Sequence, residues 1–234
     1  MAASEEVGRA SARPLDANAT LGGLKSALLL GIMAAVLCYF FPLFHIVSLN
    51  SLAPAAEAGT LAAFDPVAVA AKLWKNDLPA AAQRAVELKS LAGPLRENTE
   101  TAKARFAKSS GLGAAYYFVR GSGKVVAHDR NFLRLALDGA PAEMVALRIG
   151  PVFGNTVRDG CGLLDVNAFP GLQEFNALSA ELNALVEKTL LPALRETAGV
   201  GATVQFAGCA EAPESAPAAG EPLLTIVPVL AEVR

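Results

Sequence analysis

The sequence is poor in the residues that most often bind metals or act as activated nucleophiles. Its 234 residues include two histidines, three cysteines and one tryptophan, and no two cysteines have CxxC spacing. Zinc sites are built mainly from histidine and cysteine side chains. We therefore expect no metal site and no cofactor, and an enzymatic function is not favoured.

Basic residues do not outnumber acidic ones. The chain has 20 Lys and Arg against 22 Asp and Glu, which gives a formal net charge of −2. Proteins that bind nucleic acid through its phosphates need a broad cationic surface, which this balance does not provide. We therefore expect no nucleic acid among the main partners.

Charge is missing altogether from one long stretch near the N-terminus. Residues 27–49 (ALLLGIMAAVLCYFFPLFHIVSL) contain no Asp, Glu, Lys or Arg. As a helix they would be roughly 30 to 35 Å long, which is about the thickness of a bilayer core. The sequence thus predicts a single transmembrane helix over residues 26–49.

The basic residues around this stretch predict its orientation. Arg9, Arg13 and Lys25 precede it, whereas the next basic residue after it is Lys72. The positive-inside rule then places the N-terminus in the cytoplasm. We expect an inner-membrane protein with four parts: a cytoplasmic tail (1–25), the anchor (26–49), a linker (50–63) and a periplasmic α+β domain (64–234).

Two other fates of the apolar stretch compete with a retained anchor. Residues 53–55 (Ala-Pro-Ala) resemble a signal-peptide cleavage site, but the apolar region is longer than the usual 7 to 15 residues. Cys38 could carry a lipid if a small residue preceded it, and the preceding residue is Leu37. The retained anchor needs no such processing and is the preferred interpretation.

The first part of the domain has helical patterns. Asp65 and Pro66 are suited to the cap and the first position of a helix. Apolar residues at helical spacing predict a second helix over 78–91 that ends at Gly93-Pro94, and Asn98 or Thr99 should begin a third, up to about residue 108. This block should pack as a structural unit, with Trp74 in the core.

The pattern then becomes that of strands. Alternation predicts strands at 116–120 and 124–128, joined in a hairpin by Gly121-Ser122-Gly123, and further strands at 131–137, 144–149, 202–206 and 223–230. A long helix should begin at Leu172 and be kinked or ended by Pro192, with Pro228 confined to a strand edge or bulge. We expect an α+β fold with a small antiparallel sheet or OB-like barrel.

The polar, glycine-rich segment 150–176 is the candidate functional region. Its candidate ligand-binding residues are Asn155, Arg158, Asp159, Asn167, Gln173 and Asn176. Arg158 and Asp159 could instead hold the loops together through charge-assisted hydrogen bonds. The alternative function is an envelope hydrolase that uses Asp159 or Cys161, although no histidine lies nearby in sequence.

Cys161 and Cys209 are both expected outside the cytoplasm, where disulfides persist. A bridge between them and a pair of free, buried thiols are both compatible with the sequence.

Several blocks of the domain resemble a bacterial family, that of predicted periplasmic lipoproteins of unknown function (domain of unknown function 2291). They are FDPVAVAAKLW (64–74), AYYFVRGSGKVV (115–126), LRIGPVFGNTVRDG (147–160), LLDVNAFPGLQEFNALSAELN (163–183) and VQFAGCAE (204–211). The resemblance implies an envelope protein anchored at its N-terminus, with genes that often accompany sugar-type ABC transporters. We therefore expect an accessory or binding protein whose partners are the inner membrane and either transporter components or a small polar ligand.

Overall fold

The computed structural model of the chain describes residues 64–109 and 114–234, together with Met33 alone. The predicted tail (1–25), anchor (26–49) and linker (50–63) lie outside the described ranges, apart from that single methionine. Within the described ranges, no helix has the length and apolar character that a membrane crossing requires.

The domain begins with a block of short helices. Helix α1 (Pro66–Lys72) starts at the predicted cap, where the Asp65 carboxylate accepts hydrogen bonds from the backbone N–H groups of Val67 and Ala68 at 2.9 and 3.2 Å. The remaining elements follow in order: a π-helical turn (Leu73–Asp77), α2 (Leu78–Ala82), β1 (Val86–Glu87), α3 (Leu88–Glu97), α4 (Thr99–Phe106) and β2 (Lys108–Ser109). Asn98 caps α4, and Trp74 packs partly buried against the core, as predicted.

The prediction of one helix over 78–91 that ends at Gly93-Pro94 is wrong. The chain leaves the helix after Ala82, and β1 adds to the sheet before α3 begins. Helix α3 then continues through Pro94 because Leu91 and Leu95, one turn apart, are both fully buried. The burial of these side chains outweighs the single backbone hydrogen bond that proline cannot donate.

Five strands close into a barrel. They are β3 (Ala115–His128), β4 (Phe132–Leu137), β5 (Ala140–Arg148), β6 (Thr203–Glu211) and β7 (Thr225–Val233). The pairing order is β3-β4-β5-β7-β6, and β6 pairs back to β3; only the β5–β7 pairing in this ring is parallel. This five-stranded closure, with its helices between the third and fourth barrel strands, confirms the expectation of an α+β, OB-like fold.

The helical connection between β5 and β6 carries the candidate region. It contains α5 (Thr156–Gly160), a 3₁₀ turn (Val166–Ala168), α6 (Leu172–Leu185), a second π-helical turn (Val186–Leu190) and α7 (Leu191–Thr197). Pro192 stands in the first turn of α7, where proline is tolerated. It does not end the helix, which continues to Thr197 after the π-helical turn, and a kink at Pro192 stays a prediction.

The predicted hairpin at Gly121-Ser122-Gly123 is wrong, because β3 runs without a turn from Ala115 to His128. Neither glycine has a positive φ angle. A Cβ atom on Gly123 would lie 3.2 Å from the Leu135 Cβ atom, and one on Gly121 would lie 3.3 Å from Leu88. The glycines therefore allow neighbouring elements to pack closely against a strand that bends around the barrel.

The buried hydroxyl group of one tyrosine should make the folded domain less stable at high pH. Tyr117 on β3 is fully buried, and its hydroxyl oxygen has no hydrogen-bond partner among the described residues. Burial, reinforced by the charge of Glu100, raises the pKa of Tyr117 from 10.0 to about 12. The folded state holds the phenolic proton more tightly than the unfolded chain does, so stability should be complete below pH 10 and fall as the pH rises toward 12.

We expect Tyr117→Phe to leave the free energy of unfolding at pH 7 within about 1 kcal/mol of wild type, since no hydrogen bond is lost. Above pH 10 the variant should become the more stable protein. Urea unfolding of both proteins at pH 7 and pH 11 measures this difference. A loss of several kcal/mol at pH 7 would show that the hydroxyl is bonded.

Candidate functional site

The segment 150–176 is organised around a buried ion pair. Arg158 and Asp159 lie on α5, and their side chains are 0% and 3% exposed. The Arg158 Nε and Nη2 atoms donate to the two carboxylate oxygens of Asp159 at 2.7 and 3.0 Å. This bidentate geometry lets a charged pair remain stable out of contact with water.

The same guanidinium group connects α5 to α6. Its Nη1 atom donates to the Asn176 side-chain oxygen at 2.8 Å and to the Phe175 carbonyl at 3.3 Å. The guanidinium carbon also lies 3.8 Å from the centre of the Phe175 ring, which packs in turn against Phe169 at 4.9 Å between ring centres. Arg158 thus has hydrogen bonds on all three nitrogens and an aromatic face beneath it.

The structure brings some of the six candidate residues together and leaves others apart. Arg158, Asp159 and Asn176 form one hydrogen-bonded group. Asn155, just before α5, accepts a hydrogen bond from Ser179 of α6 at 3.2 Å. Ligand contact by these residues stays a prediction. Arg158 and Asp159 are buried, so they could affect a ligand only indirectly, through the hydrogen bond from Arg158 to Asn176.

Asn167 and Gln173 stand apart from that group. The side chain of Asn167 donates to Asp165 at 2.9 Å within the exposed 3₁₀ turn. Gln173 is exposed in the first turn of α6, and its side chain has no hydrogen-bond partner among the described residues. Neither residue lines the surface cleft between the loop after β5 and α6.

A surface cleft of about 470 Å³ runs between the loop after β5 and α6. We call it the amide cleft and define it by six of its lining residues: Phe153, Asn155, Asn176, Ser179, Asn183 and Glu187. At the edge of the cleft, the Phe153 side chain is 77% exposed, an unusual exposure for so large an apolar group.

Two hydrogen bonds fix the loop of the amide cleft to the helix. The Asn183 side-chain nitrogen donates to the Gly154 carbonyl at 2.9 Å. A carboxylate oxygen of Glu187 accepts from the Val152 backbone N–H at 2.7 Å. Gly154 has a φ angle of +79°, a conformation that favours glycine, so the loop turns back sharply beside the exposed phenylalanine.

Sequence reasoning missed four members of the cleft: Phe153, Ser179, Asn183 and Glu187. A signal was nevertheless present, because Asn176, Ser179, Asn183 and Glu187 follow one another in helical steps of three or four residues. Such a polar stripe on one face of a long helix can indicate a binding surface as well as a solvated one.

The two cysteines of the domain are free and buried. The Cys161 thiol lies 3.2 Å from the Arg158 carbonyl oxygen, and burial, with the nearby charge of Asp159, raises its pKa to about 11. Burial raises the pKa of Cys209 well above its usual value. A protonated, buried thiol is a poor nucleophile, and Asp159 is already engaged by Arg158, so the geometry does not favour the hydrolase alternative.

This burial predicts slow alkylation. In a Cys38→Ser background, we expect Cys161 and Cys209 to react with iodoacetamide at pH 8 at least about 100-fold more slowly in the folded protein than in urea, because only the exposed thiolate reacts. Mass spectrometry of timed samples gives the two rates. Rapid modification of Cys161 in the folded protein would support the hydrolase alternative.

Within the described ranges, no group of three or more His, Cys, Asp or Glu side chains could hold a metal ion.

Comparison with known proteins gives two matches. A family model described as "Predicted periplasmic lipoprotein (DUF2291)" matches residues 34–231. The chain is also similar to the crystal structure of an OB-fold protein from Thermotoga maritima MSB8, with 23% sequence identity and a TM-score of 0.61 over 73% of this chain and 99% of that one. None of the curated proteins matches the chain. The structural likeness supports the fold and says nothing of a ligand.

Proposed function

The chain belongs to the family of predicted periplasmic lipoproteins (DUF2291), and from that membership we propose that it is a binding protein of the cell envelope that holds a small polar ligand in the amide cleft. The proposed role is non-catalytic. The ligand contacts would come from Asn155 and Asn176 of the predicted set and from Phe153, Asn183 and Glu187.

One observation carries the proposal: each polar side chain of the cleft is held at one end by the protein. Asn155 and Asn176 accept hydrogen bonds through their side-chain oxygens, from Ser179 and Arg158. Asn183 is held through its nitrogen and Glu187 through one oxygen. Side chains fixed in this way lose little conformational entropy when a ligand binds to their other ends.

Native mass spectrometry tests the binding function directly. The full chain, gently extracted from its own membrane, should carry a co-purified small molecule that is absent from the Phe153→Ala, Asn155→Ala double variant. Val200→Ala is the control, because Val200 is 69% exposed and lies outside the cleft. A wild-type protein without any bound small molecule, or a double variant that carries the same one, would contradict the proposal.

We further propose that residues 26–49 are retained as a single-pass anchor with the domain in the periplasm. The family description supports an envelope location, the lack of charge in residues 27–49 supports a span, and Leu37 before Cys38 does not suit lipid attachment. Alkaline phosphatase fused to the C-terminus should be active in intact cells, and Cys38→Ser should leave the protein in the membrane. Activity only of a cytoplasmic reporter would contradict this topology.

An association with a sugar-type ABC transporter is the remaining part of the proposal. It is supported by the gene neighbourhood that the family resemblance implies and by the suitability of an anchored module for holding a small solute near a transport path. Affinity purification of the detergent-extracted full chain should recover identified transporter subunits. Recovery of general envelope proteins alone would count against the association.

A further inference from the structure

We infer that the ligand of the amide cleft is a neutral polyhydroxylated compound, a sugar or polyol; this inference rests on the proposed binding function and specifies its ligand class. Three features of the cleft support this ligand class: its available hydrogen-bonding groups, the charge of its lining and its exposed aromatic ring.

The lining offers both donors and acceptors. Arginine can only donate, so the Arg158 contact fixes Asn176 with its oxygen inward and its Nδ2 group available to donate. A carbonyl can only accept, so the Gly154 contact fixes Asn183 with its Oδ1 atom available to accept. Asn155 adds a second amide donor, and the free oxygen of Glu187 adds a second acceptor.

The charge of the lining disfavours anionic ligands. Of the cleft-lining residues, all of them in the described ranges, only Glu187 is charged. A phosphate or carboxylate would meet no Lys or Arg there, because Arg158 is buried and neutralised by Asp159. A cation would be attracted by Glu187 but would leave the amide donors of Asn155 and Asn176 without an acceptor. A hydroxyl group both donates and accepts, and it matches this mixed set without charge.

The size of the cleft and the exposed phenylalanine at its edge suit a sugar. Asn176 and Asn183 are seven residues apart, about 10 Å along a helix, which is one to two sugar rings. The cleft volume of about 470 Å³ lies in the usual range for small-molecule sites. Phe153 presents an exposed ring against which the C–H face of a sugar ring can pack.

Two nearly isosteric substitutions test the ligand class by the sign of their effects. Asn155→Asp keeps the acceptor for Ser179 and removes the free donor, and Glu187→Gln keeps an acceptor for Val152 and removes the free carboxylate oxygen. For a neutral polyol, each should weaken binding by about fivefold, the worth of one hydrogen bond. For a cation, Asn155→Asp should strengthen binding; for an anion, Glu187→Gln should.

The probes are glucose, xylose, maltose and myo-inositol, with glycine and inorganic phosphate as ionic comparisons, titrated into the full chain in detergent by isothermal calorimetry. We expect at least one polyol to bind, Phe153→Ala to weaken it about tenfold, and Glu181→Gln, an acid-to-amide change on α6 outside the cleft, to leave it unchanged. Binding of glycine or phosphate alone, or opposite signs for the two variants, would overturn the ligand class while the binding function stands. If no probe binds and no small molecule co-purifies, the binding function itself fails.

Discussion

Replacement of Arg158 by alanine is expected to lower the free energy of unfolding by about 3 to 5 kcal/mol. The substitution would leave the Asp159 carboxylate buried without its partner and would remove the hydrogen bonds to Asn176 and the Phe175 carbonyl. Loss of one member of a buried ion pair typically costs this much, because the remaining charge keeps its desolvation penalty. In a domain of this size, the melting temperature should fall by about 10 °C.

Urea unfolding followed by circular dichroism measures the effect, with Arg120→Ala as the matched control. Arg120 forms an ion pair of similar length with Glu87, 2.8 Å, but both side chains are about 40% exposed. Exposed pairs of this kind contribute under about 1 kcal/mol. The double variant Arg158→Met, Asp159→Leu should recover most of the lost stability, because no charge remains buried. An Arg158→Ala protein as stable as Arg120→Ala would refute the structural role of the pair.

Replacement of Gly208 by alanine should destabilise the barrel by about 2 to 3 kcal/mol. Gly208 lies in β6 opposite Pro228 of β7, at a shift in the register of the two strands. A Cβ atom there would meet the Val227 carbonyl oxygen and would lie 2.6 Å from Ile226 and 2.9 Å from the Pro228 backbone. Backbone atoms cannot move aside as a flexible side chain can, so the strands must separate.

Gly199→Ala provides the comparison for this substitution. Gly199 precedes β6, and a Cβ atom there would have no neighbour within 4 Å. The free energy of unfolding of the Gly199→Ala protein should differ from that of the wild type by no more than about 0.5 kcal/mol, as is usual for surface positions. Thermal unfolding of both variants beside the wild type gives the difference. Equal melting temperatures for the two variants would show that β6 and β7 can relax around a methyl group at position 208.

Local chemistry made parts of this fold predictable from the sequence. Asp65-Pro66 begins α1 and Asn98 caps α4, because each acts on its own neighbours. The glycines at 121 and 123 form no turn, because their role depends on distant partners, Leu88 and Leu135. A glycine that permits a turn and one that permits close approach have the same local pattern.

The candidate site was predictable to a similar degree. The polar character of segment 150–176 pointed to Arg158, Asp159 and Asn176, which the structure places in one group. Asn183 and Glu187 lie beyond that segment and meet its loop only because α6 folds back along it. Contacts between a loop and a helix 29 or 35 residues later depend on the tertiary fold, which no local pattern encodes.

The π-helical turn at Val186–Leu190 has a consequence for how one helix serves two surfaces. A turn of this kind contains one residue more than an α-helix needs, so it rotates everything after it by about 100°. The buried face of this helix (Phe175, Leu178, Leu182 and Val186) resumes five residues later at Leu191 and then Leu194. Polar side chains on another face, up to Glu187 within the turn, line the amide cleft. Deletion of a single residue here would put the two faces out of phase, so that Glu187 and the leucines could not both keep their places.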